Sequence, residues 1–313
     1  MKLSDIEHLK ALVKKHPELI ENPDQMKEFA QNAGLNLEDA YQELEMDDPY
    51  VDTHLDPGSA QEIVQLHSHN YYEILYICSG NIQYLVRSER YRIQKGDVLI
   101  IPPGVSHQPL LQEGRTEIYK RYVLWLSTDF IKGIVPLFPD NDFLCPTLLR
   151  TAGTRWSSIS NKFYAGIKET EQKDAGWQAS VYGNTMELIT MLYRAVLDKD
   201  LVPLKSEIPE LLDNILVYIE EHLAENITLD DTGKRFFVSR STISNIFRKE
   251  IGISFYRYVT QRRLVAAKNY ILEGLSMENI AENVGFSDYS SFYRAFKQEY
   301  GISPRQFKEQ QCT

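Results

Sequence analysis

The last third of the chain contains one pattern twice: a short helix, a tight turn and a second helix with a polar face. In each copy a Ser or Asp stands where the second helix should begin, and apolar residues then recur every three or four positions. These apolar positions are Ile243, Ile246 and Phe247 in the first copy and Phe292, Ala295 and Phe296 in the second. The pattern predicts two helix-turn-helix units, the first over residues 227–249 and the second over residues 276–297.

The residues between these apolar positions are small, hydroxylic, amide or basic, the types that bind phosphates and base edges. The predicted base contacts are Arg240, Ser241, Ser244 and Asn245 in the first copy and Tyr289, Ser290, Ser291 and Arg294 in the second. Arg248 and Lys297, further along each helix, are predicted to contact phosphates. An isolated helix of this kind would be interpreted as ordinary solvated surface, but the duplication favours double-stranded DNA as the partner.

Between the copies, apolar residues at helical spacing predict one helix from Phe255 to Leu272. Eighteen helical residues span about 27 Å. Such a rod could hold two recognition helices near the roughly 34 Å that separates successive major-groove faces of B-DNA. The sequence therefore predicts that one chain contacts adjacent turns of a duplex.

The formal net charge is -10, although the predicted partner is an anionic polymer. From Lys205 onward the chain carries 14 Lys and Arg against 15 Asp and Glu, so almost all of the acidic excess precedes the two copies. The few basic residues of the copies imply few phosphate contacts and modest affinity per chain. Pairing two chains on one site would raise the affinity, so a homodimer is predicted.

Ordered motifs over roughly the last hundred residues resemble the C-terminal signature of the AraC/XylS family of transcription regulators. They are Arg263-Leu264-x-x-Ala267, Ile280-Ala281, Val284-Gly285-Phe286-Ser287-Asp288, Ser291-Phe292, Phe296-Lys297 and Gly301-Ile302-Ser303-Pro304. The resemblance implies a DNA-binding regulator that is not an enzyme, with a small-molecule effector and RNA polymerase as further partners. The first copy departs from the family pattern at Asp231-Thr232-Gly233.

The motif also suggests structural roles within the second copy. Gly285 suits a turn that needs positive φ, and Phe286 and Phe292 suit the core between the helices. Asp288 or Ser287 suits the N-cap of the second helix.

Short β-rich segments separated by Gly, Pro and Asn occupy the region before residue 130. The predicted strands are Glu73–Cys78, Ile82–Val86, Tyr91–Ile93, Val98–Ile101 and Tyr119–Leu126. Regularly spaced short strands favour a small antiparallel barrel or jelly roll with an enclosed pocket.

Histidines and a glutamate in this region resemble the two cupin motifs. His67-Ser68-His69, Glu73 and Gly80 match the first motif, and Gly96, Pro102, Gly104 and His107 match the second. If His67, His69 and Glu73 share one strand they point the same way. With His107 they would form the ligand set of a divalent transition metal. Alternatively, the same four residues hydrogen-bond a ligand or one another.

Further pocket candidates are aromatic or polar groups suited to a sugar, a sugar derivative or a small acid. They are Tyr71, Tyr76, Tyr84, Arg121 and Trp125. The leading hypothesis is a regulator that senses such a molecule. The alternatives are a metal-dependent cupin enzyme with an appended DNA-binding module, and a constitutive DNA binder.

The predicted fold class is α+β multidomain. We expect a helical N-terminal extension over 1–48, a cupin-like ligand-sensing barrel over 49–154 and a helical dimerisation segment over 155–197. The clearest helix of that segment is Tyr182–Leu197. A linker over 198–208 then leads to an all-α domain over 209–313 with both helix-turn-helix units.

No apolar run approaches the roughly 18 residues of a membrane helix, and the N-terminus is charged too early for a signal peptide. Three isolated cysteines, Cys78, Cys145 and Cys312, indicate neither a disulfide framework nor a zinc finger. The cytoplasm is the predicted location.

Overall fold

A computed structural model describes residues 46–56, 66–110, 119–139, 145–198, 201 and 211–311. The extension predicted for 1–48 lies almost wholly outside these residues, as does most of the linker predicted for 198–208. The chain divides into two compact units, one over Tyr50–Val265 and one that contains the residues from Ala266 onward.

The strands of the first unit form two antiparallel sheets, with orders β1-β7-β2-β5-β8 and β4-β3-β6. They are β1 Val51–Asp56, β2 Tyr72–Ser79, β3 Asn81–Val86, β4 Glu89–Gln94, β5 Asp97–Ile101, β6 His107–Leu110, β7 Lys120–Leu126 and β8 Thr147–Arg150. The five predicted strands are confirmed, whereas β1, β6 and β8 were not predicted. Of the two predicted alternatives, barrel or jelly roll, a closed barrel is wrong, because the described strands form two separate sheets. Gly80, with φ 91°, turns the chain so that the consecutive strands β2 and β3 join different sheets.

The outer face of the larger sheet packs against helices. These are α1 Thr128–Ile134, α2 Ile159–Gln172 and α3 Trp177–Val196. Ile74 and Val98 of the sheet share a buried apolar cluster with Phe163 of α2 and Leu188 of α3. Much of the apolar surface of α3 is therefore buried within its own chain, although the sequence pattern suggested a partner chain.

The first helix-turn-helix belongs to the same compact unit. Its helices are α4 Leu211–Glu221, α5 Leu229–Phe236 and α6 Arg240–Ile246, followed by a π-helical turn Phe247–Ile251 and then α7 Phe255–Leu272. Thr228 caps α5 and Ser239 caps α6, because each hydroxyl accepts a backbone N–H of the first turn. Helix α7 has the predicted bounds.

The second helix-turn-helix lies in the unit that follows Ala266. It consists of α8 Met277–Asn283 and α9 Tyr289–Tyr300, and α10 Pro304–Gln311 follows. Phe292 and Phe296 of α9 are buried, as is Phe307 of α10. Phe286 packs its ring 5.6 Å from that of Phe292, so both aromatic predictions are confirmed.

The two turns close with the same hydrogen bond. In the first, Val238 N–H donates to Gly233 O at 3.0 Å, and in the second, Phe286 N–H donates to Ala281 O at 2.9 Å. A Cβ on Gly233 would lie 2.7 Å from the Val238 carbonyl oxygen. Gly233, where the chain departs from the family pattern, therefore lies in a turn that leaves no room for a side chain.

No helix among the described residues is both long and apolar enough to cross a membrane.

Candidate functional site

Helix α6 of the first helix-turn-helix presents a polar surface. Arg240, Ser241 and Asn245 are exposed, as is Arg248 in the π-helical turn that follows, whereas Ser244 is half-buried. The opposite side of the helix is anchored by Ile243 and by Phe247 of the following turn, both fully buried. The predicted contact residues and the apolar anchor therefore lie on different sides, as a recognition helix requires.

Helix α9 has the same division. Ser290, Arg294 and Lys297 are exposed, and Tyr289 and Ser291 are half-buried. The Tyr289 ring lies 6.0 Å from that of Phe292, so part of this predicted base contact packs on the helix core. Ser291 donates its hydroxyl to Asp288 at 2.8 Å and is thus engaged in the cap.

The N-cap of α9 is Asp288, as predicted, because its carboxylate accepts the Ser291 N–H at 2.8 Å. Hydrogen bonds from the Ser291 backbone and from the Ser291 and Ser287 hydroxyls lower the pKa of Asp288. The carboxylate therefore stays ionised at neutral pH and complements the positive end of the helix dipole. Ser287 donates to Asp288 and is not itself the cap.

A buried polar cluster lies between the two sheets, and we define it as His69, Glu73 and His107. One possible metal-ligand atom from each of the three residues lies within 4.8 Å of the other two. Nε2 of His107 is 3.2 Å from Oε2 of Glu73, and Nε2 of His69 is 3.8 Å from the same oxygen. The three residues therefore direct nitrogen and oxygen lone pairs toward one point.

Backbone carbonyls determine which ring nitrogen carries hydrogen. Nδ1 of His69 lies 2.8 Å from Tyr71 O, and Nδ1 of His107 lies 2.9 Å from Val105 O. Because a carbonyl oxygen only accepts, each Nδ1 must donate. In the neutral ring Nε2 is then an acceptor. Nε2 of His107 consequently meets a carboxylate oxygen, an arrangement that requires either a second ring proton or a cation.

The polar cluster fits a divalent transition metal by this donor set. Two imidazoles and one carboxylate are a known ligand combination, and metal-binding histidines commonly donate their other N–H to a carbonyl. Among the described residues, the buried atoms Glu73 Oε2 and His107 Nε2 have no hydrogen-bond partner other than each other. A bound cation or polar ligand would satisfy both.

Neighbouring side chains complete the polar surroundings of the cluster. Trp125 donates Nε1–H to Glu73 Oε1 at 3.0 Å, and Arg121 donates to the Tyr84 hydroxyl at 3.0 Å. Burial raises the pKa of Glu73, but His107 and His69 outweigh it and hold that pKa well below its ordinary value. Glu73 is therefore a buried carboxylate anion.

Burial also raises the pKa of Tyr84 well above its ordinary value, so its phenol stays neutral. Tyr71 stacks on His69 with ring centroids 4.0 Å apart. The structure thus brings Tyr71, Tyr84, Arg121 and Trp125 near the cluster, as the sequence suggested.

Two predicted site residues are not among the three converging ligands, although the His67 ring lies only 4.2 Å from that of His107. His67 forms an isolated bridge before β2, and the chain from residue 68 to residue 71 is not a strand. The assumption that His67, His69 and Glu73 share one strand is therefore wrong, and His67 is not among the three converging ligands. Tyr76 points to the other face of β2, where it packs against Tyr122 and Phe163.

Sequence reasoning missed Asp56, whose carboxylate accepts Arg121 Nη2–H at 2.7 Å. No motif marked this residue, because its partner lies on the neighbouring strand β7. Asp56 neutralises and orients the guanidinium that contacts Tyr84.

Comparisons with known proteins match both halves of the chain. A family model described as the AraC-like ligand-binding domain matches residues 51–111, and one described as a helix-turn-helix domain matches residues 233–310. The HTH-type transcriptional activator RhaS of Escherichia coli (strain SMS-3-5 / SECEC) is 24% identical over 260 residues, which cover 82% of this chain and 91% of RhaS. The chain belongs to the AraC family of transcription regulators.

A solved structure of the C-terminal domain of AraT, a response regulator from Geobacillus stearothermophilus, is also similar to this AraC-family chain. It is 30% identical, covers 34% of this chain and 88% of the AraT chain, and has a TM-score of 0.32. The family assignment makes the chain a DNA-binding regulator with a ligand-binding domain.

Proposed function

We propose that this regulator binds DNA through α6 and α9, with both recognition helices in major grooves. The exposed polar side of each helix supports this proposal, because it is opposite a buried anchor. The early positions Arg240, Ser241, Ser244 and Asn245, and Tyr289, Ser290, Ser291 and Arg294, contact base edges. Arg248 and Lys297 contact phosphates and supply affinity that does not depend on base sequence.

The polar cluster is the sensing site. The single observation that carries this proposal is the pair of buried atoms Glu73 Oε2 and His107 Nε2, which lie 3.2 Å from each other and have no other hydrogen-bond partner among the described residues. Buried polar atoms of this kind cost free energy until a partner satisfies them. A small molecule with hydroxyl groups, such as a sugar or sugar derivative, would accept and donate the missing bonds beside Tyr84 and Trp125.

A divalent transition metal is a second candidate ligand, favoured by the convergence of His69, Glu73 and His107 within 4.8 Å. Bound there, a metal would supply a positive charge and would hold a polar ligand at its open coordination positions. The chain's own residues would orient it through the two Nδ1–H donors and the Trp125–Glu73 hydrogen bond. In this proposal the chain is not an enzyme, since its relatives are regulators.

A thermal-shift screen tests the sensing site. The wild-type chain would be heated with zinc, manganese, nickel or iron(II) salts, and separately with sugars, sugar acids and sugar phosphates. Glu73→Gln removes the cluster's charge, and Glu171→Gln, at an exposed position of α2, is the matched control. A shift in the wild type and the control that disappears in Glu73→Gln supports the site. Equal shifts in all three would contradict it.

The active form is a homodimer that acts on RNA polymerase in the cytoplasm. Support for the dimer comes from the few basic residues of each recognition helix and from a shallow groove on α3. Met186, Thr190 and Met191 line this groove with Glu187 and Arg194. Sedimentation of the wild type and of Met191→Glu would test the dimer, which the substitution should dissociate.

A further inference from the structure

Strands β3 and β6 of the smaller sheet have buried residues on both faces. Strand register places Tyr84, Val86 and His107 on one face, and Leu85, Gln108 and Leu110 on the other. Tyr84 and His107 belong to the sensing site and its surroundings. Leu85 and Leu110 are buried on the opposite face. Adjacent residues of one strand, Tyr84 and Leu85, thus face different environments.

The first helix-turn-helix covers that second face. Leu85 and Leu110 share one apolar cluster with Ile215 of α4, Ile243 of α6 and Phe247 of the π-helical turn. Leu85 and Ile215 are each fully buried. The smaller sheet therefore lies between the sensing site and an apolar cluster that includes residues of the first helix-turn-helix.

A polar contact also joins the smaller sheet to the first helix-turn-helix. Arg90 of β4 pairs across the strands with Leu85 and donates two hydrogen bonds to the Asp213 carboxylate of α4, at 2.7 and 3.2 Å. Its third nitrogen lies 3.8 Å from Glu250 Oε2, in the π-helical turn after α6, and 3.4 Å from Gln83 Oε1. The Arg90 side chain is 8% exposed.

Such a contact is sensitive to small displacements. A guanidinium that donates two hydrogen bonds to one carboxylate requires both bonds to stay aligned. A mostly buried charge that loses its partner is strongly disfavoured. A shift of β3 or β4 would therefore be transmitted to α4 and the turn after α6, because neither the pair nor the packed apolar layer deforms gradually.

We propose that the smaller sheet couples the sensing site to the first recognition helix, and that the ion pairs of Arg90 with Asp213 and Glu250 join β4 to that helix-turn-helix. The coupling rests on the proposed function, since it presupposes a sensing site and DNA binding. Occupancy of the polar cluster moves Tyr84 and His107, and the sheet carries that movement to α4 and α6.

Linkage provides a test that needs no effector. If the sensing site affects DNA binding, DNA binding must affect the sensing site by the same factor. The probe is a duplex selected by the full chain from a random library. Amide hydrogen exchange would be measured over residues 81–86 and 107–110 with and without this duplex. We expect a change of about fivefold or more in these strands, the lower end of typical coupling.

Arg90→Gln should uncouple the polar cluster from the first recognition helix while the chain still binds the duplex. Hydrogen exchange in residues 81–86 and 107–110 should then no longer respond to the duplex. Asp213→Asn breaks the same pair from the other side and replaces Arg90→Gln if that variant does not fold. Arg92→Gln, two residues further on β4 and exposed, is the matched control and should respond like the wild type.

Each outcome decides the proposal. A wild-type chain that binds the duplex with unchanged exchange in these strands overturns the coupling and leaves the proposed function intact. A response that persists in both Arg90→Gln and Asp213→Asn overturns the proposed role of Arg90. A chain that binds no selected duplex overturns the coupling together with the proposed function.

Discussion

Asn245 and Arg294 occupy the same position in the two recognition helices, since each lies six residues after its N-cap, Ser239 or Asp288. Both are exposed. The next pair at a helical turn's distance, Arg248 and Lys297, is also exposed. This correspondence makes the division between base and phosphate contacts testable at equivalent positions.

Asn245→Ala should relax base preference in one part of the binding site, because an amide on a base edge discriminates by about 1–3 kcal/mol. Binding titrations on the selected duplex and on single-base variants of it would measure the preference. A uniform loss of affinity on every duplex would contradict a base contact.

Arg248→Ala should weaken binding to all duplexes about equally and lower the salt slope by about 1. The measurement is the dissociation constant at several salt concentrations. Lys132→Ala removes a positive charge from the exposed surface of α1 and should leave the slope unchanged. If Arg248→Ala altered base preference instead, the assignment to phosphate would fail.

The two turns differ at the residue with left-handed backbone. Phe237 has φ 56° and Gly285 has φ 83°, and Phe237 is 95% exposed. Because a side chain at positive φ costs about 1–2 kcal/mol, Phe237→Gly should raise the free energy of unfolding by about 1 kcal/mol. Gly285→Ala should lower it by a similar amount.

Denaturant unfolding measures both variants of the turns. Phe237→Ala is the control, since it removes the aromatic ring but keeps a Cβ at positive φ, and it should give no such gain. A gain from Phe237→Ala equal to that from Phe237→Gly would show that the exposed ring, not the backbone, is unfavourable.

The correction at His67 also has a measurable consequence. If a divalent metal binds, His107→Ala should abolish its stabilising effect, whereas His67→Ala should keep it, because His67 is not among the converging ligands. At a metal concentration of about 100 times Kd, the stabilisation should be about 2.7 kcal/mol. Thermal unfolding with and without the metal separates the variants. Equal loss in both would restore His67 as a ligand.

Local patterns predicted the helices well. Helix α7 has the predicted bounds, and Asp288 is the predicted cap, because apolar spacing and capping residues act within a few turns of backbone. Gly285 adopts the positive φ expected of it. The same kind of signal could not identify Phe237 as its counterpart, since a bulky residue at positive φ is held there by the surrounding turn.

Strand pairings and ion pairs between residues far apart in the sequence were harder to predict. Whether strands close into a barrel depends on which edges meet, and the sequence does not encode that locally. The assumption that His67 shares a strand with Glu73 failed for a related reason, because alternation holds only within a strand and residues 68–71 are not strand. Asp56 lies 65 residues from its partner Arg121, and Asp213 lies 123 residues from its partner Arg90. Neither aspartate belongs to a motif.

In the proposed function, the two recognition helices read different base positions of one duplex. Base-preference profiles of the wild type, Asn245→Ala and Arg294→Ala on a library of single-base variants would test this directly. We predict that the two substitutions relax preference at two separate groups of positions, about one helical turn apart. Relaxation at the same positions, or an effect of one substitution alone, would contradict it.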